Sequence, residues 1–162
     1  MGIQSVRTAF ENLGIAHRIQ EFSVSSATVP LAAQALGCEE ARIAKTLSLR
    51  IEGQAVLIVT SGDARLDNQK YKARFSCKAS MLTPQEAEEE TGHAVGGVCP
   101  FAVKPGVAVW LDISLRRFDQ VYPACGSANS AIALSPDELE TYSRASGWVD
   151  VCRLPAQAEV SG

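Results

Sequence analysis

Three groups of residues in this chain have the types and spacing to do chemistry. The first is the loop Thr91-Gly92-His93-Ala94-Val95-Gly96-Gly97-Val98-Cys99-Pro100-Phe101. Glycine has no Cβ, so a ligand can come close to the backbone N–H and C=O groups of Gly96 and Gly97, and either can take φ > 0. Pro100 fixes φ and lacks a donor, which stiffens the end of the loop. The same residues also read as a tight helix-to-strand connection. The second group is Lys45, flanked by Ala44, Thr46 and Leu47. An ammonium among small and apolar neighbours at an element boundary points into a cleft, where desolvation strengthens its charge. The alternative is a surface lysine whose stem lies along the protein. The third is Gly126-Ser127-Ala128-Asn129-Ser130. Its hydroxyl and amide groups can bond a ribose or an amino acid, or make a plain turn.

Two further arrangements have chemical potential. His93 and Cys99 could pair as base and thiolate nucleophile of a hydrolase, but no orienting acid lies nearby in sequence. His93 is therefore expected to line a pocket or cap a helix end, and His17 to be structural. Asp112, at the end of a strand, reads as a surface carboxylate or an orienting group. The chain has no GxxxxGK[ST], GxGxxG, HExxH or GxSxG run. NTPase, dinucleotide-binding, zincin and α/β-hydrolase readings thus lack their key residues.

Composition narrows the class further. With 162 residues, 46% of them hydrophobic and 20% charged, the chain suits one domain with a real core. No apolar run approaches the ~18 residues a membrane-spanning helix needs, and no signal-peptide pattern opens the chain, so the expected address is cytoplasmic. Five cysteines, 39, 22, 26 and 27 residues apart, form no CxxC pair. They fit free thiols in a reducing compartment, with neither a structural metal nor a cofactor expected. The net charge of −3 hides a local imbalance: Arg42 to Lys78 carries eight basic residues against three acidic ones, while Glu86 to Glu90 holds four glutamates. One segment can face phosphates while the rest stays acidic.

These groups need elements to position them. Helices are predicted over Val6–Leu13, Thr28–Leu36 (with Pro30 in the first turn) and Asn68–Phe75 behind Asp67. Two more follow the capping boxes Thr83-Pro84-Gln85-Glu86, stopping at Gly92, and Ser135-Pro136-Asp137-Glu138, stopping near Gly147. A helical turn is expected over Glu39–Ala44. Strands are predicted over His17–Val24, Leu47–Ile51, Ala55–Val59, Val107–Ile113, Asp119–Tyr122, Ser130–Leu134 and Trp148–Cys152. Ala55–Val59 is apolar throughout, as a strand buried on both faces would be. Strands joined by short turns and irregularly interleaved with helices point to an α+β fold with a mixed sheet. Residues 1–155 are expected to form one domain, and 156–162 a flexible C-terminal tail.

Taken in order, several runs resemble one family. They are Lys45-Thr46 entering a strand, Ser61-Gly62-Asp63-Ala64-Arg65-Leu66-Asp67, the Gly96-Gly97-Val98-Cys99-Pro100 loop, Val109-Trp110-Leu111-Asp112, Gly126-Ser127-Ala128-Asn129 and the Pro136 helix. The chain resembles the YbaK/EbsC family, free-standing relatives of the editing domain of bacterial prolyl-tRNA synthetases, from about Ile15 to Val151. The resemblance implies a single compact domain with a mixed, partly barrel-like sheet surrounded by helices. It implies hydrolysis of the ester joining a wrong amino acid to tRNA, with the tRNA 3′ end as substrate, prolyl-tRNA synthetase as a partner, and neither metal nor membrane. Lys45, Gly96 and Gly97 would be catalytic; Phe22, Thr46, His93, Pro100, Asp112, Gly126, Ser127 and Asn129 would bind substrate. Members acting on cysteinyl-tRNA(Pro) carry tyrosine at Phe22, serine near Ala124 and aspartate near Ala131, so the amino acid removed stays open. The alternative is a non-catalytic module of the same fold that binds aminoacyl-tRNA or a synthetase.

Overall fold

The computed structural model describes residues 2–94 and 96–155; the tail expected at 156–162 lies outside the described residues. Helix α1 (Ile3–Asn12) leads through a 3-10 turn (Ala16–Arg18) to β1 (Gln20–Glu21), α2 (Val29–Leu36) and a second 3-10 turn (Glu40–Arg42). A long hairpin, β2 (Ile43–Ile51) and β3 (Gln54–Ser61), precedes β4 (Arg65–Leu66), α3 (Asn68–Phe75) and α4 (Pro84–Thr91). After the glycine loop come β5 (Ala108–Asp112), a 3-10 turn (Ile113–Arg117), β6 (Tyr122–Pro123), β7 (Ser130–Ala131), α5 (Pro136–Ser143), β8 (Gly147–Val149) and β9 (Cys152–Arg153).

Helix starts follow local chemistry. Asp67 accepts from the Gln69 and Lys70 amides, both at 3.0 Å. Thr83 with Glu86, and Ser135 with Glu138, close reciprocal capping boxes. Each cap satisfies amides that the helix itself leaves unpaired and contributes about 1 kcal/mol.

The fold is α+β. Its main sheet has the order β6-β2-β3-β5-β8, with β2 and β3 antiparallel and the other pairings parallel. Two short ribbons, β1 with β7 and β4 with β9, flank it. In the central strand β3, Leu57 and Val59 pack on one face with α1 and α5, through Val6, Phe10 and Leu139. Val56 and Ile58 pack on the other, against Tyr71 of α3. That strand is buried on both faces, as its unbroken apolar run implies.

Several strands differ from the sequence expectation for identifiable reasons. β2 begins at Ile43, so Lys45 lies inside a strand and not at its start. His17–Val24 supplies only two strand residues, because β7 pairs with Gln20 and Glu21 alone. Ser130–Leu134 is likewise short, and Leu134 bridges Val121 instead. Trp148–Cys152 splits into β8 and β9, since the amide of Val151 donates to the Asp112 carboxylate at 2.9 Å and leaves the ladder. The last helix stops at Ser143, with Arg144 left-handed at φ 54.

Candidate active site

A cleft of about 280 Å³ lies along the outer edge of β2, between α2, α4, the glycine loop and the β6–β7 connection. Lys45, Thr46 and Gly96 line it, and much of its remaining wall is small: Ala27, Ala32, Ala87, Ala124 and Ala131. Among the described residues, no carboxylate lines it. Among the described residues, no group of three or more His, Cys, Asp or Glu side chains converges as metal ligands would.

Lys45 is half-buried, and its Nζ donates to the carbonyl of Ala64 at 2.6 Å. An ammonium has three donors, so two remain for a ligand. Burial above all holds the Lys45 pKa below the usual 10.5; Cys152 opposes it, the neighbouring Arg65 charge adds to it, and Asp63 opposes it least. The turn that carries Ala64 is itself clamped. Arg117 Nη2 donates to Asp63 Oδ1 at 2.6 Å and to Ser61 Oγ at 2.7 Å, and Ser61 Oγ donates to Asp63 Oδ1 at 2.7 Å. Desolvation opposes ionisation of Asp63, but Arg117 and Ser61 outweigh it and leave the carboxyl below its ordinary value. The anchor for the ammonium is thus a fixed carbonyl.

The glycines do separate work. Gly96 has φ +87, and a Cβ there would meet Ala27 Cβ at 3.1 Å inside the cleft. Gly97 does not line the cleft. A Cβ on it would lie 2.7 Å from the backbone N and Cα of Ser127, so only glycine lets this loop lie against the 126–127 turn. Gly126, at φ +94, is pressed in the same way against the backbone of Gly2 and Ile3. Asn129 ties the 22–28 segment to this turn: Phe22 N donates to its carbonyl at 2.8 Å, and its Nδ2 donates to the Phe22 carbonyl at 2.9 Å. Ser127 Oγ donates to Ser130 Oγ at 2.7 Å, and Ser130 lines the cleft. Gly97, Gly126, Ser127, Asn129 and the Phe22 backbone therefore shape the cleft from behind its surface.

Three residues expected to bind substrate stand elsewhere. His93 is fully buried, with Nε2 2.7 Å from the Phe101 carbonyl. A carbonyl cannot donate, so Nε2 carries the proton and fixes the loop; desolvation lowers its pKa. Pro100 lines a second cavity, on the far side of the glycine loop beside Phe10 and Tyr142. Asp112 is 1% exposed and accepts from the amides of Ser114 and Val151, each at 2.9 Å, joining β5, the 3-10 turn and the link between β8 and β9. Cys99 is also fully buried, 3.6 Å from His93 Nε2. Its thiol is pushed up to about 12 by burial, and the nitrogen facing it already donates elsewhere. The geometry gives no thiolate nucleophile.

Sequence reasoning does not find Ser26, Ala32, Ser48 or Leu82, which also line the cleft, whereas Ser130 belongs to the Gly126–Ser130 loop singled out above. Ser26 carries the one available signal, the Ser25-Ser26-Ala27-Thr28 run before α2. It also leaves Arg65 unassigned. Arg65 sits directly opposite Arg153 across the β4–β9 ribbon, and both side chains are exposed. Like charges in direct opposition are destabilising. The nearby carboxylates are committed: Asp63 to Arg117, Asp67 to the start of α3, Asp150 to Lys70.

A family model described as an aminoacyl-tRNA editing domain matches residues 24–142. Uncharacterized protein YwhH of Bacillus subtilis (strain 168) is 51% identical over 154 residues, covering 94% of this chain and 98% of that protein. The multifunctional Ser/Thr-tRNA deacylase ProXp-y of Escherichia coli (strain K12) is 27% identical over 97 residues, covering 56% of this chain and 58% of its own. Among solved structures, one described as a candidate trans-editing enzyme for prolyl tRNA synthetase superposes with a TM-score of 0.83. It is 32% identical and covers 93% of this chain and 96% of that one.

Proposed function

Because the chain belongs to the aminoacyl-tRNA editing domain family, we propose that it is a trans-editing deacylase that removes a small, wrongly attached amino acid from tRNA(Pro). The observation that carries the reading is Lys45: an ammonium braced on the Ala64 carbonyl, in a cleft that also contains Gly96 and Thr46. Water attacks the ester carbonyl carbon, the bond to the ribose oxygen breaks, and that oxygen takes up the proton. An aminoacyl ester is already activated, so the step needs a positioned water and a stabilised oxyanion more than a strong nucleophile. Backbone donors and a fixed ammonium supply this, at about 3 kcal/mol per oxyanion donor.

Charge supports the tRNA half of the substrate. Lys45, Arg65 and the Arg153 opposite it gather positive charge beside the cleft, which suits the 3′-terminal phosphates. Size supports the amino-acid half. The alanine wall leaves room for a short side chain, and the hydroxyls of Ser26, Thr28 and Ser48 suit serine and threonine as well as alanine. Such a pocket separates neighbours by only about 1–3 kcal/mol per methylene, which is why a separate hydrolytic check on a synthetase has value. The solved neighbour points to prolyl-tRNA synthetase as partner, and the Escherichia coli relative to serine and threonine. No helix among the described residues is long and apolar enough to cross a membrane, and the cytoplasm, where the substrate is made, is the proposed site of action.

Release of radiolabelled amino acid from tRNA(Pro) charged with Ala, Cys, Ser, Thr or Pro tests the proposal. Selective loss of one or more of the small wrong residues, with Pro-tRNA(Pro) spared, is expected. Binding of these tRNAs without any turnover would replace the enzyme with a non-catalytic module.

A further inference from the structure

The cleft has an open strand edge, and the opening is one residue wide. β2 pairs with β3 along its length, so its outer-edge backbone groups belong to alternate residues. Arg50 N donates to the Ser80 carbonyl and Leu82 N to the Ser48 carbonyl on that edge, which identifies the even-numbered residues as the outward-facing ones. At the other end Ile43 and Ala44 pair with β6. Thr46 lies between these two pairings, and among the described residues no strand meets its outward N–H and C=O. The gap from Ala44 to Ser48 is roughly 13 Å at the usual rise of a strand. It opens into the cleft, whose lining includes Ala44, Thr46 and Ser48.

We propose that the backbone of Thr46 binds the aminoacyl ester as a one-residue antiparallel β-pair. This rests on the deacylase reading given above. In an antiparallel hydrogen-bonded pair, two residues exchange both N–H···O bonds. An α-aminoacyl group, such as that of an aminoacyl ester, carries both halves of this exchange, and a simple acyl group carries one. Its α-ammonium donates to the Thr46 carbonyl, and its ester carbonyl accepts from the Thr46 N–H. A parallel pairing would need two successive residues of ligand, and a longer peptide would collide with β6 and with Ser80–Leu82. Among the described residues no carboxylate stands in the wall, and the Thr46 carbonyl is the counterpart for the ammonium. Directly paired residues project on the same face of a sheet. The acyl side chain therefore enters on the Thr46 side, where Ala44, Val98 and Ala124 belong to one packed cluster. As water adds, the ester oxygen gains charge in front of the Thr46 N–H, making that amide an oxyanion donor.

Thr46→Pro deletes this donor and no ladder bond, because proline is tolerated at an edge position whose N–H faces away from the neighbouring strand. Thr46→Val keeps the N–H and removes the hydroxyl. On the mischarged tRNA that the wild type hydrolyses best, kcat is expected to fall ~10²–10³-fold in Thr46→Pro, at least tenfold further than in Thr46→Val. A folded Thr46→Pro with wild-type kcat would overturn the pairing while leaving the deacylase reading intact; a wild type inactive on every mischarged tRNA would remove that reading itself. A second measurement does not depend on the proline variant folding. In the wild type, 3′-alanylamino-3′-deoxyadenosine should shift the Thr46 amide proton downfield and slow its exchange, and the 3′-propionylamino analogue, lacking the α-amino group, should do so far less. Equal responses to both analogues, or none, would also overturn the pairing.

Discussion

Replacing Gly97 with alanine separates shaping of the cleft from chemistry within it. The new Cβ would sit 2.7 Å from the backbone N and Cα of Ser127 and 2.8 Å from the carbonyl carbon of Gly126, where ordinary contact begins at 3.4 Å. The obstacle is backbone on both sides and cannot rotate away, so the glycine loop and the 126–127 turn must part by about 0.7 Å. Gly96 is the next residue and lines the cleft. A displacement near 1 Å in a catalytic constellation costs on the order of 10²-fold, so deacylation should fall by roughly 10- to 100-fold in kcat. Overpacking of this kind costs ~1–3 kcal/mol of stability. Gly106→Ala serves as the control. Gly106 has φ +90 with nothing within 4 Å of a Cβ, so alanine there costs ~1–2 kcal/mol of backbone strain and should leave kcat unchanged. Single-turnover deacylation and thermal melting of both variants give the answer. A Gly97→Ala protein within threefold of wild-type kcat, or a Gly106→Ala protein equally slowed, would refute the reasoning.

Other outcomes follow from the same geometry. Cys99→Ala should keep its deacylation rate while losing about 1–2 kcal/mol of stability for the vacated buried volume, and iodoacetamide should leave activity intact; loss of turnover would restore a thiol mechanism. Deacylation, net of spontaneous ester hydrolysis, should decline as pH rises through the lowered Lys45 pKa. Stability should move the opposite way there. The unfolded chain keeps the lysine proton up to its ordinary value, so between the two pKa values it binds more protons and folding gains as pH rises; parallel decline of both would point to general unfolding. Substituting alanine at Arg65 and Arg153 together should raise KM for full-length aminoacyl-tRNA about tenfold and flatten its log–log salt dependence by roughly 1–2. An aminoacyl-adenosine should notice neither change, and an unaltered salt slope would leave the pair without a phosphate.

What was legible in the sequence is what local chemistry dictates. Asp67, Thr83 and Ser135 declare their helices because the capping partners lie within three residues. Lys45, Thr46 and Gly96 could be picked out and do share one cleft. Features set by distant partners were not readable. β7 is two residues long because β1 is, and Arg144 ends α5 in a left-handed conformation that a glycine would have announced. His93 and Asp112 look like site residues because a polar side chain in an apolar run suggests function. Here each is a buried cross-link whose partners, Phe101 for one and Val151 for the other, are met only after folding. A trace of the Asp112 role is local: Asp112-Ile113-Ser114 is the pattern of a side chain capping the turn that follows it. The alanine wall and the opening at Thr46 depend on where the distant segments β6 and Ser80–Leu82 meet the outer edge of β2, which the local pattern of that strand does not show.

The most direct measurement is deacylation of the preferred mischarged tRNA by Lys45→Ala and Lys45→Met, read beside their melting curves. Removing a partly desolvated ammonium should leave stability unchanged or raised in Lys45→Met, while kcat/KM falls by at least ~10²-fold in both variants. A folded variant without the Lys45 ammonium that still deacylates within a few-fold of wild type would contradict the assignment of the site.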